Sequence, residues 1–450
     1  MQESQQNNQS DFMIEKIKER PINKKKLLRR TIITAAMAVI FGLIACFTFL
    51  VLEPVISNWL YPEEEPQIVV FPEDQEEMSP EEMLAENMEQ EKQNQQQQQQ
   101  QAVPSPEGTT LSQEQLMEMI SNITFDLDNY KQMYYSLSAY VEELKPCMVT
   151  VTGTTSNIDW FSNVQESQRQ ASGVIIANNG KELLILVDYA PLEDAESLRL
   201  TFFNGAEVEA NVKEKDADTD LAVLAVELIR LDRSLVSNEL KIASLGSSNV
   251  KNIVGIPVVA LGRPMGTAGS LGYGMITSAA TALSDADTNY KLIQTDITGS
   301  QNAGGVLFNL HGQVIGIITN KQGSSDMKNM ITAYGITELK KRIEKMSNGE
   351  KMPYLGICGV DVTKAVSAEL GVPQGAYITE IEMDSPAMQA GIQQGDILVG
   401  MDKETVTSYG DYTTLLMKKK VEESVKVTVM RQVQEEYKEM EFEVVLAEAQ

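Results

Sequence analysis

Histidine is the scarcest reactive residue in this 450-residue chain: there is one, His311. Any chemistry that needs a separately placed imidazole must use that residue or do without. The three cysteines, Cys46, Cys147 and Cys358, are far apart, with no CxxC or metal-ligand spacing. That excludes a disulfide framework and a thiolate metal centre. No cofactor or metal motif is found elsewhere. Positive charge is short as well: 37 Lys+Arg against 64 Asp+Glu leave a net charge of −27, which argues against nucleic acid as the main partner. Against these absences, a 42% hydrophobic content can fill real cores, and the length allows about three domains.

One long run lacks charge altogether. Residues 31–52 (TIITAAMAVIFGLIACFTFLVL) match the ~20 apolar residues that cross a bilayer as a helix. Lys24, Lys25, Lys26, Arg29 and Arg30 precede the run and Glu53, Glu63, Glu64 and Glu65 follow it. By the positive-inside rule, residues 1–30 are expected to be a cytoplasmic basic tail, 31–55 a single transmembrane helix, and everything beyond extracytoplasmic at the cell membrane. A cleavable signal peptide fits less well, because the run exceeds an h-region of about 7–15 residues and no A-x-A site follows.

Residues 56–110 hold twelve carboxylates between Glu63 and Glu91, with no Lys or Arg among them, and then a glutamine tract at 95–101. Such a segment buries too little apolar surface to offset its chain entropy, so it is expected to be a disordered linker. From 111 to 145, Leu116, Met119, Ile120, Ile123, Leu127, Tyr130, Tyr134, Leu137, Val141 and Leu144 recur at helical intervals and predict one or two helices ending at Pro146.

Two folded regions are expected after that. Over 146–348 short β-rich runs alternate with turn residues (SGVIIA, ELLILV, DLAVLAV, VGIPVVALG, GGVLFNLHGQVIGIIT) without strand–helix alternation, which predicts an all-β barrel or sandwich. Residues 340–346 look helical. Residues 353–450 read as a compact α+β module, with YLGICGVDV, GAYITEI, GDILVGMD, SVKVTVMR and EMEFEVVL as strands, SPAMQAG as a helix, and a second helix over about 409–420.

In that order, ASGVIIANNGKELLILV, DADTDLAVLAV, ALGRPMG, KLIQTDITGSQNAGGVLFN and GQVIGI resemble the HtrA family of trypsin-fold serine proteases. YLGI and SPAMQAGIQQGDILVGMD are similar to the PDZ domain that follows the protease there. The resemblance covers about 145–450. It implies a mainly β protein, a trypsin-like double β-barrel followed by an α+β PDZ domain. It also implies trimers, and a catalytically dead subunit could modulate active relatives by mixed assembly.

A trypsin-fold protease attacks with a serine hydroxyl, transfers the proton to an imidazole held by an aspartate, and stabilises the oxyanion with backbone N–H groups. Carried over residue by residue, the resemblance puts Asp220 at the aspartate. Ala303, in QNAGG, takes the place of the serine, and Ala190 that of the histidine, with Tyr189 beside it. A methyl group cannot attack a carbonyl. His311 sits in the turn of NLHGQVIG, eight residues beyond Ala303, and is expected to be a hairpin-turn residue. Gln301 stands where the family has the glycine that turns the oxyanion loop, so a distorted loop is expected. Ser300 and Thr298 are read as loop hydrogen-bonders, and Cys147 as buried packing. With no imidazole beside it, Asp220 needs another partner if buried; the Tyr189 hydroxyl is one candidate, and solvent exposure of both residues is the other.

In the PDZ-like module, Tyr354, Leu355, Gly356 and Ile357 match the family's loop, whose backbone N–H groups grip a peptide's C-terminal carboxylate. Leu415 and Leu416 are expected to line the side-chain pocket. The resulting expectation is a membrane-anchored, outward-facing pseudoprotease that binds peptides or protein C-termini through its PDZ domain, as scaffold or regulator in the cell envelope. An active HtrA-type endopeptidase in envelope quality control is the alternative.

Overall fold

The computed structural model describes residues 28–29, 32–44, 46–48, 66–72, 74, 127–158, 164–320, 329–434 and 436–449. The chain divides into two units, Met1–Glu65 and Pro66–Gln450. In the first, residues 32–44 and 46–48 are helical and expose apolar side chains such as Phe41 and Phe47. Among the described residues no helix is long and apolar enough to cross a membrane. Several earlier expectations fall on residues outside the described ones: most of the basic tail, positions 31, 45 and 49–52 of the uncharged run, the glutamine tract, and residues 111–126 of the helical segment.

The second unit begins with a correction. Residues 66–72 and 74, expected to belong to a disordered linker, are seated on the folded body. In the run IVVF, Val69 and Phe71 are buried while Ile68 and Val70 face out, a period of two that gives this strap one apolar face. Gln67 N–H donates to the Asn179 carbonyl (2.9 Å), Val69 N–H to Asn348 Oδ1 (2.9 Å), and Lys340 pairs with Asp74. Helix α1 (Leu127–Leu144) ends before Pro146 as expected and buries Val141 and Leu144.

Six strands, β1 (Met148–Ile158), β2 (Val164–Asn178), β3 (Glu182–Asp188), β4 (Ser197–Phe202), β5 (Glu207–Asp216) and β6 (Leu221–Glu227), close into a barrel in the order β1-β2-β3-β6-β5-β4. The short strand β7 (Ser244–Leu245) leads into β8 (Pro257–Arg263), β9 (Ser270–Asp285), β10 (Thr288–Thr298), β11 (Gly304–Asn309), β12 (Gln313–Thr319) and β13 (Met330–Gly335). The last six form a second barrel in the order β11-β8-β9-β10-β13-β12, closed by pairing of β11 with β12 and carrying β7 on β12. The expected trypsin-like double barrel is therefore present.

The unbroken apolar runs follow from this arrangement. In β3, Leu183, Ile185 and Val187 fill the first barrel while Leu184 and Leu186 enter a cluster shared with the second. In β11, Val306 and Phe308 join that shared cluster and Leu307 fills the second barrel. Strands buried on both faces have no polar face to show. The seam between the barrels is thus built by alternate residues of the same strands that make the barrel cores.

Helix α2 (Ile336–Ser347), longer than the 340–346 expected, joins the barrels to the C-terminal module. That module has β14 (Pro353–Tyr354), β15 (Ile357–Val362), α3 (Lys364–Leu370), β16 (Gly375–Ile381), α4 (Pro386–Ala390), β17 (Ile397–Met401), β18 (Glu404–Thr405), α5 (Tyr409–Met417), β19 (Ser424–Val433), β20 (Glu436–Val445) and β21 (Ala447–Glu448). Its sheet runs β15-β16-β17-β19-β20, which leaves β15 as an edge, and β14 pairs with β21. Helix α4 starts where SPAMQAG predicts: Ser385 Oγ accepts from Met388 N–H (3.2 Å) and Gly391, at φ 91°, ends it. Sequence reasoning missed α3, although Thr363 caps it and Gly371 terminates it in the same way.

Candidate functional site

A cleft of about 890 Å³ lies between the barrels. Asp188, Ala190 and Asp220 reach it from the first barrel, and Ala303, Gly304 and Thr319 from the second. The fold thus brings together Asp220, Ala190 and Ala303, three positions 113 residues apart at the extremes of the chain segment they span. Asp220 sits just before β6 in the left-handed region (φ 58°), and its carbonyl accepts from Tyr189 N–H at 2.7 Å. The link between these two positions is therefore main-chain: the Tyr189 ring packs against the core of the first barrel. Both residues are half-buried, so the reading that leaves them fully in solvent does not hold.

The loop before β11 turns two of its N–H donors back onto Ser300. Ala303 N–H donates to the Ser300 carbonyl (3.0 Å), and Asn302 N–H to Ser300 Oγ (3.1 Å). In an oxyanion hole the N–H of the nucleophile position points at the substrate oxygen; here it closes a turn instead. Gln301 is exposed and does not adopt a positive φ, as its Cβ led us to expect. Ser300 is held as a turn hydrogen-bonder, and Thr298 is an exposed strand-end residue. Ala303 is buried in the core of the second barrel, its carbonyl held by Asn320 Nδ2 at 2.6 Å. Of the two glycines after it, Gly305 has a packing role: it stands at φ 118°, and a Cβ there would come 2.2 Å from the Leu261 carbonyl oxygen, whereas one at Gly304 would find its nearest neighbour, Asp188, at 3.7 Å. His311 is an exposed residue of the β11–β12 turn, its N–H on Asn309 Oδ1 (3.0 Å), and it does not line the cleft.

Beneath the Asp220 turn lies a buried charge cluster. Arg342 of α2 donates from Nη1 to Asp216 (2.7 Å) and Asp218 (2.9 Å), and from Nη2 to Thr288 Oγ1 (3.2 Å). One cation faces two carboxylates, and burial pushes the Asp218 carboxyl up to about 6 against the pull of Arg342. This network ties the β5–β6 turn to the tip of the β9–β10 hairpin.

That tip is a site that sequence reasoning missed. Leu355, Gly356 and Ile357 present their three N–H groups together, and the carboxylate they hold belongs to the chain itself. Leu355 and Gly356 N–H donate to Asp287 Oδ2 at 2.7 and 2.8 Å, and Ile357 N–H to Oδ1 at 3.1 Å. The Tyr412 hydroxyl also donates to Oδ1. Asp287 is fully enclosed; burial pushes its carboxyl up, while Tyr412 and the three N–H groups pull it back. Gly356, at φ 85°, makes the loop possible, since a Cβ would meet Ser385 at 2.3 Å and the Tyr354 ring at 2.9 Å. The groove residues also differ from those expected. Tyr409, Tyr412 and Thr413 of α5 face the loop and the carboxylate, whereas Leu416 is fully buried in the core and Leu415 packs on its edge. The only feature of the sequence that hints at the docking is an Asp-rich turn, DADTN, without the glycine such a turn favours.

Comparison with known proteins gives the following. The trypsin-like peptidase domain family matches residues 171–317, and the PDZ domain family matches residues 353–446. Serine protease Do-like HtrA of Bacillus subtilis (strain 168) is 27% identical over 335 residues, covering 68% of this chain and 72% of that protein. Serine protease Do-like HtrA of Lactococcus lactis subsp. lactis (strain IL1403) is 28% identical over 302 residues, covering 62% and 71%. Among solved structures, the HtrA-type protease AlgW with decapeptide is similar at 19% identity with a TM-score of 0.49, over 69% of this chain and 98% of that one.

Proposed function

The chain belongs to the HtrA-type family, a trypsin-like peptidase domain followed by a PDZ domain, and from that premise we propose that it is a pseudoprotease: a membrane-anchored, outward-facing member that binds peptides or protein C-termini and acts as a scaffold or regulator in the cell envelope. One observation carries the reading. At the cleft where Asp220 sits, the two partner positions are Ala190 and Ala303, and the Ala303 N–H is spent on the Ser300 carbonyl. Nucleophile, base and one oxyanion donor are absent together. In serine proteases the loss of triad side chains costs up to about 10⁶ in kcat, and the remaining rate is credited to the oxyanion hole and binding. With one donor of that hole turned away as well, little remains to catalyse hydrolysis.

The uncharged run at 31–52 supports the anchor, and the basic flank before it supports the orientation. For the PDZ domain, the three convergent N–H groups of 355–357 and the place of β15 at the end of its sheet support recognition of a carboxylate-ended strand. Homotrimers, or mixed assemblies in which this chain sits beside active relatives, fit the same role. The rival, an active endopeptidase in envelope quality control, has the names of the relatives in its favour. Unfolded casein separates the two readings. Incubated with the purified chain it stays intact if the protein is a pseudoprotease; fragments whose rate of formation follows the protein through successive columns would establish the endopeptidase.

A further inference from the structure

The geometry points to the tip of the β9–β10 hairpin as a built-in ligand of the PDZ domain: Asp287 occupies the seat of a peptide's terminal carboxylate, and an outside C-terminus gains the groove only by displacing it. This inference rests on the peptide-binding reading above and adds how that site is controlled.

An ionised carboxylate has about four lone-pair directions to offer. All are used here, by the N–H groups of Leu355, Gly356 and Ile357 and by the Tyr412 hydroxyl. Backbone contacts extend the mimicry. Asp287 N–H donates to the Ile357 carbonyl at 2.7 Å, the first ladder acceptor of edge strand β15 that an added strand would claim. Thr413 Oγ1 donates to the Asp287 carbonyl (2.9 Å), and Asn289 Nδ2 to the Gly359 carbonyl (2.9 Å), one step along the same edge. The tip itself is a two-residue connection, with Asp285 paired to Thr288 and Asp287 at φ 63°. A non-glycine residue kept in that conformation needs its surroundings to hold it there. The cradle does so from the PDZ side and Arg342, through Thr288, from the barrel side.

An intramolecular ligand competes at a high effective concentration. The apparent affinity for an external peptide falls in proportion to the fraction of molecules whose groove is open. The barrel domain thereby sets how readily the PDZ domain binds, and a bound C-terminus would in turn free the hairpin.

The test titrates two fluorescent decapeptide pools against the full-length chain and Asp287→Ala, both first shown to melt cooperatively. The pools share an apolar last residue, and one ends in a free carboxylate, the other in a carboxamide. We expect Asp287→Ala to bind the free-acid pool at least tenfold more tightly than the parent does, with no such gain for the amidated pool. Equal affinity of parent and variant for the free-acid pool would overturn the built-in ligand while leaving peptide binding intact. No binding by either protein would overturn both. If Asp287→Ala does not fold, Asn289→Ala replaces it, because it keeps Asp287 and removes only the tip's bond to Gly359. A smaller gain in the same direction supports the inference, and an unchanged affinity overturns it.

Discussion

Ala303 is followed by two glycines, and the second of them serves packing, since Gly305 has no room for a Cβ beside Leu261. Restoring a hydroxyl alone should therefore achieve nothing. Ala303→Ser is expected to fold and to remain unreactive toward a fluorophosphonate, because Ala190 supplies no base and the N–H at 303 is turned onto the Ser300 carbonyl; a labelled variant would contradict this. Asp218 gives a prediction about pH. With its folded value raised to about 6 above an unfolded value of about 3.9, the native state holds this proton more tightly. Its contribution is full below about pH 4 and fades as pH rises through about 6. Asp218→Asn removes that fade, so the variant should gain on the parent between about pH 4 and 7 by up to about 3 kcal/mol in urea unfolding. A constant difference across that range would refute the assignment. Cys147 should be inert for a similar reason: burial pushes its thiol up to about 12, and Sγ donates to the Leu144 carbonyl at 3.0 Å. Peptide mapping after iodoacetamide at mild alkaline pH should find it unmodified until the chain is unfolded.

Among the elements, the β-strands were legible and the docking between them was not. ELLILV and DLAVLAV read as strands because the apolar run itself is a local signal, and two-sided burial explains why the run is unbroken. Ala190, Asp220 and Ala303 could be placed in one cleft only through the resemblance, since spacing along the chain says nothing about which strand ends meet. The strap at 66–72 and 74 was missed because the acidic residues around it dominate its composition. Its apolar face consists of two residues, Val69 and Phe71. Phe71→Ala should cost about 2–4 kcal/mol, read as a fall in the melting temperature of the barrels. No change would mean that the strap is not part of the cooperative unit. The Asp287 cradle was missed for another reason: a carboxylate in a turn between two strands looks like ordinary turn chemistry, and its partners lie about 70 and 125 residues further on.

At the scale of the whole molecule, the barrels and the PDZ domain behave as parts of one compact unit with polar connections in series. The Arg342 cluster links the Asp220 turn to the hairpin, and the hairpin's carboxylate sits in the PDZ loop. Buried polar contacts of this kind are costly to break singly and so favour a definite arrangement of the domains. Relatives of this architecture carry protease names, and this chain keeps the architecture with Ala190, Asp220 and Ala303 lining the cleft between its barrels; the proposed loss of acyl-transfer chemistry is what remains to be measured. The most direct test is the intact mass of the purified chain after incubation with excess fluorophosphonate. The mass should be unchanged; a gain of one phosphonyl group, mapped to any residue of the two barrels, would contradict the account.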